Sequence, residues 1–329
     1  MTKNEFLKQL ENELIQLSST VRNDILNEYQ NHINEGVEEG KSEEEVVAAL
    51  GDPADIAEEI LSVENVEENA REPEYAAMQS DLHQDINPKD INSIDIQGDF
   101  LTVDIRSGIK FEMNYESPGE QSEFSHGVDG DKLIFRHKNK NAKKVHFNIL
   151  DFMRNKNYRS DKLTIVWPET LTDLKIRTEK GAVTLSGLTA KTFNVAADLG
   201  GVTVENIVGM NGEFTSDMGS VTVKNSGFDD VKLATDMGRV KADNIVANHQ
   251  SYSTDMGAID IKNAQHDSNI TAHTDMGSIS VVYNHKPTVT QIIAKTKMGS
   301  VSNQLDNYIV DHPEYTARFT TSMGSVSIH

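Results

Sequence analysis

Thr235-Asp-Met-Gly-Arg-Val240, Thr254-Asp-Met-Gly-Ala-Ile259 and Thr274-Asp-Met-Gly-Ser-Ile279 are three copies of one phrase. Looser copies read Thr178-Glu-Lys-Gly-Ala-Val183, Ala197-Asp-Leu-Gly-Gly-Val202, Ser216-Asp-Met-Gly-Ser-Val221, Thr296-Lys-Met-Gly-Ser-Val301 and Thr321-Ser-Met-Gly-Ser-Val326. The glycines stand at 181, 200, 219, 238, 257, 277, 299 and 324, so the period is 19 residues four times, then 20, 22 and 25. A fixed period of this size marks stacked units that bury their apolar faces against their neighbours. The pattern predicts a C-terminal β-solenoid of about eight coils of 19–25 residues behind a small N-terminal helical domain. Such a stack presents surfaces and seldom houses a buried catalytic centre.

Aligning the phrases on glycine separates structural rows. Two residues after glycine stand Val183, Val202, Val221, Val240, Ile259, Ile279, Val301 and Val326, all β-branched, as a buried strand position favours. Two residues before the Thr position stand Ile176, Val195, Phe214, Leu233, Tyr252, Ala272, Ala294 and Phe319. Both rows read as inward faces of two strands flanking a turn. The change to alanine at 272 and 294 predicts a thinner core there, or filling from elsewhere. Ser and Thr of the repeats read as exposed strand positions.

The turns are Asp217-Met218-Gly219, Asp236-Met237-Gly238, Asp255-Met256-Gly257 and Asp275-Met276-Gly277. Glycine is expected to supply a positive φ, and aspartate to bond the backbone ahead of it. Stacking places Asp198, Asp217, Asp236, Asp255 and Asp275 in a column with ~4.8 Å between coils. The column is read as turn-forming, with mutual pKa elevation or a calcium ion between carboxylates as alternatives. The methionine column, Met218, Met237, Met256, Met276, Met298 and Met323, is read first as filling at the turn. Exposed, it would be a soft ligand surface, and thioethers also suit copper(I).

The chain has 329 residues, no cysteine and a formal net charge of −21. Residues 1–80 hold 20 acidic and 5 basic side chains, which argues against nucleic acid as a partner for that end. The missing cysteines remove disulfides and thiol chemistry. No signal peptide and no run of ~18 apolar residues is visible, so the expected location is cytoplasmic, with non-classical export to the surface left open. Phe6, Leu7, Leu10, Leu14 and Leu17 recur at helical spacing, as do Val21, Ile25, Tyr29 and Ile33. Ser42-Glu-Glu-Glu45 is a capping box, and Asp52-Pro53 an N-cap followed by proline. Leu7-x-x-Leu10, Glu28-Tyr29-x-x-His32 and Gly40-Lys-Ser-Glu-Glu-Glu-Val46 with Leu50-Gly-Asp-Pro53 resemble the HAAS domain over residues 1–62. That resemblance implies a signalling module of bacterial envelope-associated proteins that engages a protein partner.

Residues 63–89 read as an acidic linker containing Pro73 and Pro88. Alternating strands begin at Ile91 with Ile94-Asp-Ile-Gln97 and Phe100-Leu-Thr-Val-Asp-Ile105, and lead through Leu163-Thr-Ile-Val-Trp167 into the eight phrases. Residues 90–329 resemble the putative-adhesin β-strand-repeat family, and its pairing with HAAS is similar to LiaX-like envelope-stress proteins. The resemblance implies a process, cell-envelope stress sensing, with anionic lipid or a cationic peptide as cue.

One segment breaks the pattern. Arg136, Lys138, Lys140, Lys143, Lys144, Arg154, Lys156, Arg159 and Lys162 face only Asp151 and Asp161, around the apolar Val145-His-Phe-Asn-Ile-Leu-Asp-Phe-Met153. Three readings stand: a solvated hairpin, an anionic-membrane contact, or a salt-screened dock for the acidic head. No His-Glu-x-x-His, Gly-x-Ser-x-Gly, Walker or dinucleotide motif occurs, so no cofactor, metal or enzyme activity is expected. The expected function is non-enzymatic binding and signalling, with the solenoid as recognition surface. The alternative is a self-assembling scaffold, a homo-oligomer joined at the C-terminal edge, because the last strand signal runs to His329 without a polar cap.

Overall fold

The computed structural model describes residues 1–15, 22, 26, 29–30, 33, 42–50, 52–54, 56–57, 80–81, 86–117, 122–139, 161–305 and 310–329. They divide into two compact units, one within Met1–Tyr75 and one within Ala76–His146 and Asn157–His329.

The first unit is helical. Thr2 caps the helix Lys3–Glu13, its hydroxyl accepting from the Glu5 N–H at 3.3 Å while the Glu5 carboxylate accepts from the Thr2 N–H at 2.9 Å. Ser42 and Glu45 make the same reciprocal pair ahead of the helix Glu43–Leu50. Both capping carboxylates are held below the usual range, chiefly by those backbone bonds. Phe6, Leu10, Leu14, Tyr29, Ile33, Val46, Val47 and Ala57 form the core. Members of both expected stripes meet there; Leu17, Val21 and Ile25 lie outside the described residues.

The second unit is one curled sheet of 21 strands among the described residues. Its core is two long ladders joined at the repeated turns. The leading ladder carries the strand that enters each turn, and the trailing ladder the strand that leaves it. From Leu171–Thr178 the leading ladder runs through Ala190–Ala197 and Asn211–Ser216, each parallel and 19 residues on: Ile176 pairs with Val195, and Val195 with Phe214. The trailing ladder repeats the offset, Val183 beside Val202 beside Val221. Short parallel bridges, Thr189 to Val208 to Gly227, close a third side. The inward rows are those the alternation predicts, and most of their members are buried at 0–1 % exposure.

At both ends the order of strands departs from the order of residues. Ser93–Gly98 lies between Lys132–Asn139 and Leu171–Thr178, and Leu101–Ser107 lies between Asp161–Trp167 and Val183–Ser186. Antiparallel strands then cover that end: Ser122–Asp129 on one ladder, and Glu112–Glu116 with Ser80–Asp81 on the other. Part of the expected linker is therefore strand, and Pro88–Asp90 is a 3-10 turn. At the other end Tyr315–Met323 pairs with Asn269–Met276 on one side and Thr290–Met298 on the other. Val326–Ile328 likewise lies between Ile279–Tyr283 and Val301–Asn303. The final strands are sandwiched, and among the described residues the outermost pair is Thr290–Met298 with Val301–Asn303. This corrects the expectation of a bare edge at His329. It explains why Val301 is 44 % exposed while the other seven members of its row are buried.

The same threading fills the alanine positions. In space the leading row reads Tyr252, Ala272, Phe319, Ala294, so a large ring flanks each side of Ala272. Tyr252, Ala272 and Phe319 are buried, which fits filling from neighbouring coils.

Candidate binding ridge

The repeated turn has a buried side and an exposed side. On the buried side the Thr or Ser hydroxyl bonds to a glycine carbonyl of the adjacent coil. Ser216 donates to Gly200 at 2.8 Å, Thr235 to Gly219 at 2.8 Å, Thr254 to Gly238 at 3.0 Å and Thr274 to Gly257 at 3.0 Å. The rung survives the rethreading, with Thr321 donating to Gly277 and Thr296 to Gly324, both at 2.9 Å. Ser216 and Thr235 also accept from the N–H of their own turn glycines, Gly219 and Gly238. Thr296 in the outermost coil is half-buried and the other five residues are buried, not exposed as the alternation of Ser and Thr implies. Ala197 occupies the position in one coil and has no hydroxyl to give.

Glycine is required here by contact more than by φ. A Cβ on Gly200, Gly219, Gly238, Gly257 or Gly277 would fall far inside the radius of the carbonyl oxygen of the glycine one coil below. None of these five has a left-handed φ; the expected positive φ is found at the turn glycines Gly299 and Gly324, at 148° and 151°, and is corrected for the central coils. In the central coils the left-handed positions lie at a second corner. Gly187, Asn206, Asn225, Asn244 and Asn263 have φ of 68°, 57°, 48°, 55° and 48°. Asparagine tolerates that backbone and adds a ladder of its own, Asn244 Nδ2 donating to Asn225 Oδ1 at 3.0 Å. The column, 19 residues apart and six after each turn glycine, was readable in the sequence but was not singled out there.

On the exposed side stand the methionines. Their backbones are fixed: the N–H of Met218, Met237, Met256 and Met276 bonds the carbonyl of Asp198, Asp217, Asp236 and Asp255 at 2.8–2.9 Å. Their side chains point to solvent. Exposure is 54 % at Met218, 50 % at Met237, 46 % at Met256, 47 % at Met276, 45 % at Met323 and 68 % at Met298. Filling at the turn is therefore excluded for this column. With Leu199 in the preceding coil, an apolar line crosses seven coils at ~4.8 Å per step.

The aspartates lie beside it. Asp217, Asp236, Asp255 and Asp275 are exposed, and Asp198 is half-buried with Arg177 at 3.4 Å. His273 lies 3.4 Å from Asp275, which also accepts from the Ser322 hydroxyl. Among the described residues no three or more His, Cys, Asp or Glu side chains converge as a metal cage.

Of the basic segment, Arg136, Lys138 and Lys162 are described; Lys140, Lys143, Lys144, Arg154, Lys156 and Arg159 lie outside the described residues, as does Val145–Met153. Arg136 is committed to the Asp95 carboxylate at 3.0 Å. Lys138 and Lys162 are exposed. Asp161 is buried and accepts from the Tyr115 hydroxyl at 2.6 Å and the Ser117 hydroxyl at 2.9 Å, with His137 Nε2 at 2.6 Å. Burial would raise its pKa, but hydrogen bonds from His137, Ser122, Tyr115 and Ser117 outweigh it, and the carboxyl is held below its ordinary range. A groove of about 710 Å³ beside this cluster mixes Arg136, Lys138 and Arg177 with Asp99, Glu123 and Glu179, so it has no dominant charge.

The Toastrack DUF4097 family matches residues 91–328, and the HAAS domain matches residues 5–59. Nothing among the curated proteins compared matches the chain. Two solved structures are similar. One is a "putative adhesin" from Bacteroides fragilis NCTC 9343, 17 % identical, with 78 % of this chain and 99 % of that chain covered and a TM-score of 0.47. The other is a "putative cell adhesion protein" from Clostridium sporogenes ATCC 15579, 12 % identical, with coverage of 74 % and 95 % and a TM-score of 0.23.

Proposed function

The chain belongs to the Toastrack DUF4097 family and carries a HAAS domain at its N-terminus, and from that premise we propose that it is a non-enzymatic binding and signalling protein whose recognition surface is the methionine–aspartate ridge. One observation carries the reading: six methionines, all at least 45 % exposed, stand in line, and Met218, Met237, Met256 and Met276 each follow an aspartate, whereas Lys297 and Ser322 precede Met298 and Met323. Methionine repacks at little cost, and aligned carboxylates favour a cationic partner. A basic amphipathic helix fits both features. Its turns rise ~5.4 Å and the coils ~4.8 Å, so a helix lying along the stack would offer about one side chain per coil. The soft thioethers absorb the remaining mismatch.

In this reading the β domain is a solenoid of about eight phrase-bearing coils, the HAAS domain engages a protein partner, and the process is the envelope stress response that this domain pairing resembles. Among the described residues no helix is long and apolar enough to cross a membrane. Protease treatment of intact cells would decide between a cytoplasmic protein, which survives, and a surface one, which is cut. The binding test is fluorescence anisotropy of a labelled basic amphipathic peptide with the full chain. Replacing Met218, Met237 and Met256 by Ser should weaken binding about tenfold. Unchanged affinity would sink the ridge as the site.

A second reading rests on the outermost coil. Thr290–Met298 and Val301–Asn303 each pair on one side only among the described residues, with Val301 exposed. Such an edge suits strand addition from a second copy, making the protein a scaffold. Light scattering that gives a monomer across a wide concentration range would reject it.

A further inference from the structure

We propose that the turn methionines are sites of reversible oxidation, and that converting them to sulfoxides changes the ridge from an apolar surface to a polar one. The fold asks little of these side chains. At Met218, Met237, Met256 and Met276 the turn uses the backbone N–H, bonded to the aspartate carbonyl one coil below, and the same position accepts Lys180 and Leu199 in the first two phrases. Six thioethers nonetheless stand there, all open to water, whereas Met113 in the core is 0 % exposed. Apolar area alone would be served by leucine. What methionine adds is flexibility and a sulfur that oxidises without loss of the backbone frame.

The chemistry is a two-electron oxygen transfer, for which a hypohalous acid is a suitable oxidant. The thioether sulfur attacks the oxygen of hypochlorous acid, the S–O bond forms and the O–Cl bond breaks. Chloride departs with the electron pair, and the hydroxyl proton is released to solvent. Each sulfur is oxidised by two electrons while the chlorine is reduced to chloride. Methionine sulfoxide reductases reverse the product.

The positions of the six make the effect collective. Met276 pairs in register with Met323, and Met323 with Met298, so neighbouring thioethers belong to adjacent strands of one ladder. A single sulfoxide puts one strong acceptor on the line; several remove the continuous apolar strip. No hydrogen bond of the Thr–Gly rungs involves these side chains, so the stack beneath keeps its bonds. The control of peptide binding by this change rests on the ridge reading above, whereas the change of surface polarity does not.

The test treats the full-length protein with graded hypochlorite, removes the oxidant, and maps oxygen addition by peptide mass spectrometry. The expected result is oxidation of Met218, Met237, Met256, Met276, Met298 and Met323 with Met113 spared. Retention on a hydrophobic-interaction column should fall, circular dichroism and the thermal midpoint should hold, and reductase treatment should restore retention. A variant with Met218, Met237, Met256 and Met276 replaced by Leu should keep high retention before and after oxidant. The proposal is overturned if the ridge stays unmodified while Met210, 51 % exposed and off the line, is consumed, or if ridge oxidation leaves retention unchanged. Peptide anisotropy on the same samples separates the two ideas. No binding before oxidation sinks the ridge as a helix site, with the oxidation claim still judged by retention. Binding that survives full oxidation overturns the switch; binding weakened about tenfold and restored by reductase supports it.

Discussion

The central coils and the C-terminal coils share one phrase but are threaded differently. Between Gly181 and Gly257 the period holds at 19 residues, and neighbours in sequence are neighbours in space. Beyond Gly277 the period stretches to 22 and then 25, and the chain steps over one position and returns to fill it. Regular spacing leaves just enough chain to climb one coil. The extra residues are the connections that a step over and back requires. Asp267 anchors the first of them: its carboxylate accepts from the Thr288 N–H, the Val289 N–H and the hydroxyls of Thr288 and Thr290 at 2.7–3.0 Å. A phrase encodes how a coil packs, while the length between phrases encodes where it goes.

Phe319→Ala should have the largest effect. Phe319 is buried between Ala272 and Ala294, so the loss should be about 4 kcal/mol in chemical denaturation. If Tyr315–Met323 were instead the free edge, the cost would be small. Gly238→Ala comes next, at about 3 kcal/mol, because its Cβ meets the Gly219 carbonyl with a coil packed on either side. Gly299→Ala meets the Gly324 carbonyl at a φ of 148° that alanine rarely adopts, but it lies in the outermost coil, which packs on one side only among the described residues, and its midpoint shift should be smaller. Thr235→Val keeps the shape and removes one rung, leaving the Gly219 carbonyl and the Gly238 N–H without that hydroxyl, a loss of about 1–2 kcal/mol. Val301→Ala should change stability by under ~0.5 kcal/mol, in contrast to Val240→Ala in the same row.

Acid offers a separate way to tell the regions apart. Burial works against the Asp267 charge, but the bonds from Val289, Thr288 and Thr290 outweigh it and bring its pKa down to about 2 from an ordinary 3.8. A carboxyl depressed on folding contributes stability that is full above its unfolded pKa and is lost as pH falls toward its folded one. The outer coil should therefore loosen between about pH 4 and pH 2. Hydrogen exchange should speed up over Thr290–Asn303 before it does over Val221–Thr254. Asp267→Asn should produce the same order at neutral pH; uniform exchange across both regions would refute it.

Much of this architecture was legible in the residues. The β-branched row after glycine and the larger row before Thr alternate as inward positions do, and both sit in register in the parallel ladders. The capping box at Ser42 follows from short-range bonding that four residues suffice to specify; the one at Thr2 is equally local and was not singled out in the sequence. The failures have a common cause. Whether a turn residue faces in or out depends on the coil above and below it, not on its own alternation, so the hydroxyls were read as exposed and the methionines as filling. Glycine at a turn suggests left-handed φ, yet from Gly200 to Gly277 the constraint comes from a carbonyl of another coil, and the expected φ is found beyond, at Gly299 and Gly324. Threading was hidden for a related reason. Edges built from one phrase are nearly interchangeable, so the local pattern fits more than one order of stacking.

The sandwiched final strands have a mechanical consequence. Tension entering the β domain at Ile328 does not meet a flap that peels away one hydrogen bond at a time. It loads Val326–Ile328 and then Tyr315–Met323, each gripped by parallel neighbours on both flanks. The force is shared by two seams in shear, so a stack whose outermost coil melts readily would still hold firmly when pulled by its tail.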